Sequence, residues 1–317
     1  MVFKMTITMK KIYLMLAAAF MTAGIASAQD INAVTEIYNN GAMEIQMGNI
    51  EAALGHFENA LAQAEALGEE GAELAANCKS TIPVLMLSIA KDQIKADNYD
   101  GALEQLAKAI EKAKEYDNAE VVADAEELIP QVHMQKGNNL IKAKDFAGAV
   151  AVFEQIVAAD STNAMAALRL GQSYMSTGKT AEAENAYLLA ARHGQDDQAY
   201  KQLSNMYVKK AQAASKAKKY QDAFDYAAKS NSYLENANAY RFAASAAQQL
   251  GKNDECISNY EKYLELKPNA KDAAGVKFTI AALYQQGGNK AKAKEYYQMV
   301  ASDPQFGPSA QEQLKTL

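Results

Sequence analysis

Small and large apolar residues recur along this chain at fixed offsets. A small residue stands at seven places: Ala53, Ala102, Ala149, Ala183, Ala223, Cys256 and Ala293. Four residues later comes a large one in six of the seven: Phe57, Leu106, Phe153, Tyr187, Tyr260 and Tyr297. Ala60, Ala109, Ile156 and Ala190 follow seven residues after four of the anchors. Offsets of four and seven keep these side chains on one face of a helix. Twelve residues before each anchor is another small residue: Gly41, Ala90, Gly137, Gly171, Ala211, Ala244 or Ala281. That residue belongs to a preceding helix. Two antiparallel helices approach closely only where facing side chains are small, and a large residue one turn away fills the remaining gap.

A turn joins each pair of helices, in two flavours. One reads Lys-Ala-x-x-aromatic-x-x-Ala, as in Lys95-Ala96-Asp97-Asn98-Tyr99-Asp100-Gly101-Ala102, and recurs from Lys142 to Ala149 and from Lys216 to Ala223. The other uses Gly48-Asn49, Gly178-Lys179, Gly251-Lys252 or Gly288-Asn289. Short turns of this kind connect antiparallel helices. No single pair can bury its apolar face, so the pairs must stack.

The anchors are spaced 49, 47, 34, 40, 33 and 37 residues apart. The first two intervals are expected to hold longer helices rather than inserted loops, with Pro83 and Pro130 starting or kinking a helix. The Pro308–Leu317 stretch reads as a short helix with a polar side, suited to closing a stack.

This pattern resembles the tetratricopeptide repeat, a 34-residue helix–turn–helix unit with small residues at fixed places, a large apolar residue near its end and a terminating Pro. The segment from Leu170-Gly171 through Tyr174, Gly178, Ala183, Tyr187 and Ala190 matches closely. The repeat anchored on Cys256 departs, with Cys for Ala and Tyr263 for the last small residue, yet supplies Pro268. The repeat anchored on Ala223 has Ala227 where a large residue is expected. The resemblance implies an all-α fold: an α-solenoid of about seven helix–turn–helix repeats in a right-handed superhelix, with a C-terminal capping helix. It divides the chain into residues 29–160, with extended helices, and residues 161–317, with standard repeats and the cap. It also implies a concave groove lined by first helices. In that register Gln131, Met134, Asn138, Met165, Leu168, Gln172 and Met175 are the expected lining. Flexible methionines suit adaptable peptide binding, although they also suit packing between repeats. Asn138 matches one position of the family's carboxylate clamp, but Met134 stands where its Lys belongs, so that activity is not carried over.

Composition agrees with helix throughout: Pro is scarce, with five in 317 residues, and aromatic packing falls to 17 Tyr and 9 Phe, with no Trp. Residues 1–28 read as a signal peptide. Lys10 and Lys11 form the basic region, Ile12 to Ile25 the apolar region, and Ala26-Ser27-Ala28 the cleavage site, which leaves Gln29 first. Met9 makes a more natural start than Met1. Cleavage changes the formal charge from −6 to −9, with 29 basic and 38 acidic residues remaining. Only Arg169, Arg192 and Arg241 are Arg, so the chain lacks the clustered cations that nucleic acid requires. No membrane insertion is expected after cleavage.

Cys78 and Cys256 lie about four repeats apart in a linear stack, too far to bridge, so two free buried thiols are expected. His56, His133 and His193 have no second His or Cys at ligand spacing, and no phosphate loop or nucleophile elbow is present. Neither a metal nor a cofactor is expected, and no enzyme activity. The reading is an exported periplasmic or secreted scaffold that holds a peptide or protein partner in its groove. The alternatives are an envelope-assembly subunit using its convex face or long N-terminal helices and, further off, a helical-repeat enzyme.

Overall fold

The computed structural model describes residues 28–317. The leader expected over residues 1–28 lies outside the described residues, save Ala28, which opens the first helix. The described chain is all α, with no strand. Fourteen of its helices form seven antiparallel pairs, and a fifteenth follows. The pairs are α1 (Ala28–Met47) with α2 (Ile50–Ala66), α3 (Ala72–Lys95) with α4 (Tyr99–Glu115), and α5 (Ala119–Lys142) with α6 (Phe146–Ala159). Then come α7 (Ala164–Ser176) with α8 (Thr180–Ala190), and α9 (Asp196–Lys216) with α10 (Tyr220–Tyr233). The last are α11 (Ala237–Gln249) with α12 (Asn253–Leu266), and α13 (Ala273–Gln286) with α14 (Lys290–Val300); the closing helix is α15 (Gly307–Thr316). The chain divides into two compact units, one ending at Ala158 and the other running from Ala159 to Leu317. Within each unit the second helix of a pair also packs on the first helix of the next.

The anchors organise every pair. All seven, including Cys256, are fully buried. In three pairs a glycine faces an aromatic ring: a Cβ on Gly41 would lie 2.9 Å from the Phe57 ring, on Gly137 2.5 Å from Phe153, and on Gly171 2.7 Å from Tyr187. Each ring is buried, which contributes about 2–3 kcal/mol of transfer free energy. The α9–α10 pair lacks the large residue. There Ala211 and Ala227 form one buried cluster with Ala239 and Ala243, bordered by Val208, Phe224, Tyr226 and Phe242.

The two turn flavours are one structure. The residue five before each anchor has a left-handed backbone in all seven pairs: Gly48, Asp97, Lys144, Gly178, Lys218, Gly251 and Gly288, with φ between 57° and 84°. The next amide donates to the carbonyl five residues back, as Asn49 N does to Glu44 O and Lys219 N to Ala214 O, both at 2.9 Å. This closes the first helix and satisfies one of its last carbonyls. In several turns the same residue then caps the second helix. Asn98 accepts from Gly101 N, Asp145 from Gly148 N and Asn289 from Lys292 N.

The residues beyond a 34-residue interval lie mostly within helices. Helices α3 and α5 run 24 residues each, with Pro83 and Pro130 inside them rather than at their starts. Near Pro83, Ser80 Oγ and Thr81 Oγ1 both donate to Asn77 O, back-bonding of a kind that accompanies bends in helices. The interval of 40 goes into the 21-residue α9 and the passage Ala191–Gln195, where Gly194 adopts φ 94°. Pro308 sits in the first turn of α15, which buries Ala310 against Ala281, Ala293, Tyr297 and Val300. Tyr263, in place of a small residue, is buried and donates its hydroxyl to Asp272 at 2.6 Å.

Candidate partner-binding surface

The first helices of the pairs carry the residues singled out by sequence. In the N-terminal unit, Gln131, Met134 and Asn138 are each half-buried on α5, and Gln131 Nε2 donates to Glu127 O. In the C-terminal unit, α7 places Met165 (37% exposed) and Gln172 at the surface, Met175 half-buried, and Leu168 buried at 7%. Gln172 Oε1 accepts from Arg169 at 3.1 Å.

The same offsets from the other anchors extend this surface. Eighteen residues before an anchor stand Met165, Asn205 and Asn238, all exposed; eleven before stand Gln172 and Gln212, also exposed. Sequence reasoning stopped at two repeats and so missed Asn205, Gln212 and Asn238. The anchor register applied to every repeat would have found them. An exposed side-chain amide offers both a donor and an acceptor to another chain's backbone.

A polar hub ties α8, α9 and α10 together beside this surface. Glu184 accepts from Tyr207 Oη at 2.6 Å, Lys229 Nζ at 2.7 Å and Tyr233 Oη at 3.1 Å. Lys229 also lies 4.6 Å above the Tyr207 ring. Burial by itself would push the Glu184 carboxyl up. The hydrogen bonds from Lys229 and Tyr207, the Lys229 charge and the bond from Tyr233 outweigh it and hold the group below its ordinary value. Tyr207 is shifted upward, by burial first and then by the Glu184 bond. A comparable carboxylate, Glu261, accepts from Tyr284 and Tyr296. These groups join helices of neighbouring repeats.

The remaining candidates for chemistry are few. Cys78 and Cys256 are free, buried thiols, and burial pushes them up to about 12 and about 11. His133 is held below its usual value by burial and then by Lys136, against Asp100, and its Nδ1 has no partner. Among the described residues no group of three His, Cys, Asp or Glu is placed to hold a metal. In the N-terminal unit an open cleft of about 500 Å³ lies between the start of α2 and the end of α3, where Gln93 Oε1 has no partner. No described helix is long and apolar enough to cross a membrane.

Residues 140–207 and 237–270 match models of the tetratricopeptide repeat. Those two stretches carry tetratricopeptide repeats, a motif whose proteins generally bind peptides and proteins. Among solved structures, a MamA structure (AMB-1) is 25% identical, covering 55% of this chain and 91% of its own, with a TM-score of 0.36. YrrB, described as a TPR protein with an unusual peptide-binding site, is 18% identical, covering 57% and 91%, with a TM-score of 0.32. No curated protein matches the chain.

Proposed function

We propose that this protein is an exported, non-enzymatic scaffold that holds a protein or peptide partner on the first helices of its repeats. The observation that carries the reading is the exposed Met165, Asn205 and Asn238 at one register of α7, α9 and α11, with exposed Gln172 and Gln212 two turns on in α7 and α9. A row of amides with adaptable apolar side chains can grip the backbone of an extended segment, while the methionines follow its side chains. Export, to the periplasm or beyond the cell, rests on the leader of residues 1–28 and its Ala26-Ser27-Ala28 cleavage site.

Site-specific photocrosslinking in the producing cell tests the binding surface. A crosslinker replacing Gln212 should capture a defined partner, and one replacing the exposed Lys262 on α12 should not. Met165→Glu should weaken that capture at least tenfold. Equal capture from both positions would remove the first-helix reading. N-terminal sequencing of the protein from an envelope fraction should begin at Gln29; an intact leader on cytoplasmic protein would remove the export reading.

A further inference from the structure

Charge is divided unevenly along the chain. Residues 29–158 hold 22 acidic and 9 basic residues, net −13; residues 159–317 hold 16 acidic and 20 basic, net +4. The extremes are sharper. From Gln29 to Cys78 there are nine acidic residues and no Lys or Arg. From Gln198 to Gln221 there are six Lys and no acid. The two stretches therefore carry net charges of opposite sign, which steer the approach of oppositely charged surfaces.

Each extreme falls on exposed helix surface. On α1, Glu36 is exposed, and Met43 and Met47, one turn apart, are 53% and 63% exposed. On α2, Glu51 and Glu58 are exposed, and among the described residues neither they nor Glu36 form an ion pair. On α9, Lys201, Lys209 and Lys216 lie exposed along one stripe with Asn205 and Gln212, again with no ion pair among the described residues. Beside Lys201, Tyr200 is exposed and stacks on Tyr233, with exposed Leu234 next in the chain. The exposed methionine pair on the acidic helices thus has a counterpart in exposed Tyr200 and Leu234, which lie where the lysine stripe begins, one turn after Asp197 and next to Glu235 in the chain. Thioether and aromatic groups attract each other, and opposite charges steer the approach.

We propose that the protein binds a second copy of itself head to tail, the acidic α1–α2 pair of one copy docking on the basic α9 face of another. A second copy is the occupant favoured here because both complementary surfaces lie on the same chain. The contact joins two different faces, so each added copy brings one acidic and one basic face, and the assembly extends beyond two copies as a ring or an open chain. Helix α1, at 20 residues, and α9, at 21, both span about 30 Å, which lets the two faces align. The attraction is ionic and weakens as salt shortens its range, from about 10 Å at 0.1 M to about 3 Å at 1 M.

The test uses the chain from Gln29 to Leu317 in analytical ultracentrifugation. Wild type should grow in mass with concentration at low salt and revert to monomer at high salt. A basic-face variant, Lys201→Gln with Lys209→Gln and Lys216→Gln, should associate at least tenfold more weakly. So should an acidic-face variant, Glu36→Gln with Glu51→Gln and Glu58→Gln. Mixing the two variants leaves one intact face of each kind, so the mixture should form a complex that stops at two chains. Circular dichroism of each variant confirms its helical fold. A wild type that stays monomeric at low salt overturns the proposal, as does association unchanged in both variants. A monomer that instead binds polyglutamate through α9 also overturns it, and assigns that face to a foreign acidic segment. The basic stripe shares Asn205 and Gln212 with the first-helix surface, so the proposal rests on that reading and names a second copy as an occupant of it. A monomeric wild type whose Gln212 crosslinker still captures another protein overturns self-association alone.

Discussion

Phe153 covers Gly137 so closely that a Cβ on the glycine would meet ring carbon Cζ at 2.5 Å. The contact sets how near α5 and α6 lie. Other pairs reach related solutions with different residues: Ala90 with Leu106, and Ala281 with Tyr297. Gly137→Ala should therefore fold but lose about 1–2 kcal/mol, because ring displacement outweighs the gain in helix propensity. Gly55→Ala is the control. Gly55 lies within α2, and a methyl added there would have nothing within 4 Å, so the change should gain about 1 kcal/mol. Urea midpoints measure both. The double variant Gly137→Ala/Phe153→Leu recreates the Ala90–Leu106 combination and should recover part of the loss.

The left-handed turn residue gives a second prediction, of opposite sign. Lys144 and Lys218 hold φ of 63° and 57°, where four of the seven turns use glycine. A side chain at such φ costs about 1 kcal/mol relative to glycine. Lys144→Gly and Lys218→Gly should each stabilise the protein by up to about 1 kcal/mol and act additively. Gly178→Ala should destabilise by a similar amount. Thermal unfolding of wild type, the three single variants and the Lys144→Gly/Lys218→Gly double variant checks the signs and the additivity. If Lys144→Gly destabilises, the lysine side chain is supporting the turn in a way its backbone does not reveal.

Much of this architecture is legible in the residue pattern. The anchors, their partners twelve residues back and the rings four residues on are hard packing constraints, and packing constraints leave a periodic trace in the sequence. The equivalence of the turn flavours is less visible, because Asp97, Lys144 and Lys218 do not announce a left-handed backbone as Gly48 does. The Glu184 hub leaves no trace. Its partners lie 23, 45 and 49 residues away on other helices, and a long-range hydrogen bond imposes no local period. The surface residues are legible only in part. Exposure permits many residue types, so Met165 and Gln172 gain meaning only through their register with Asn205 and Gln212.

The buried thiols supply a kinetic prediction. Cys78 and Cys256 are both fully buried, and their pKa values of about 12 and about 11 leave almost no thiolate near neutral pH. The thiolate is the reactive form. Ellman's reagent at pH 8 should label neither thiol in the native protein on the timescale that labels a free exposed cysteine, and should label both in urea. Rapid labelling of Cys78 alone would show that the α3 region opens locally without global unfolding.

The Glu184 hub should make the C-terminal unit sensitive to acid. Glu184 Oε1 accepts from Lys229 and Tyr233, and Oε2 from Tyr207, with the Glu184 side chain only 18% exposed and Lys229 45%. Its carboxyl lies below its ordinary value of 4.5, so the folded state favours the charged form. The stabilisation is then fully present above pH 4.5 and is lost as pH falls through the lower folded value. Glu184→Gln keeps the shape and removes the charge. With the exposure of Lys229 discounted, it should cost about 1–2 kcal/mol at pH 7. That difference should shrink as pH falls below 4.5 and close only once the pH has passed below the lowered folded value, where the wild-type carboxyl is itself protonated and resembles the amide. Urea unfolding of both proteins across this range measures it. A difference that stays constant with pH would mean that the carboxylate charge is not what joins α8, α9 and α10, and that the loss comes from altered packing of Tyr207 and Tyr233.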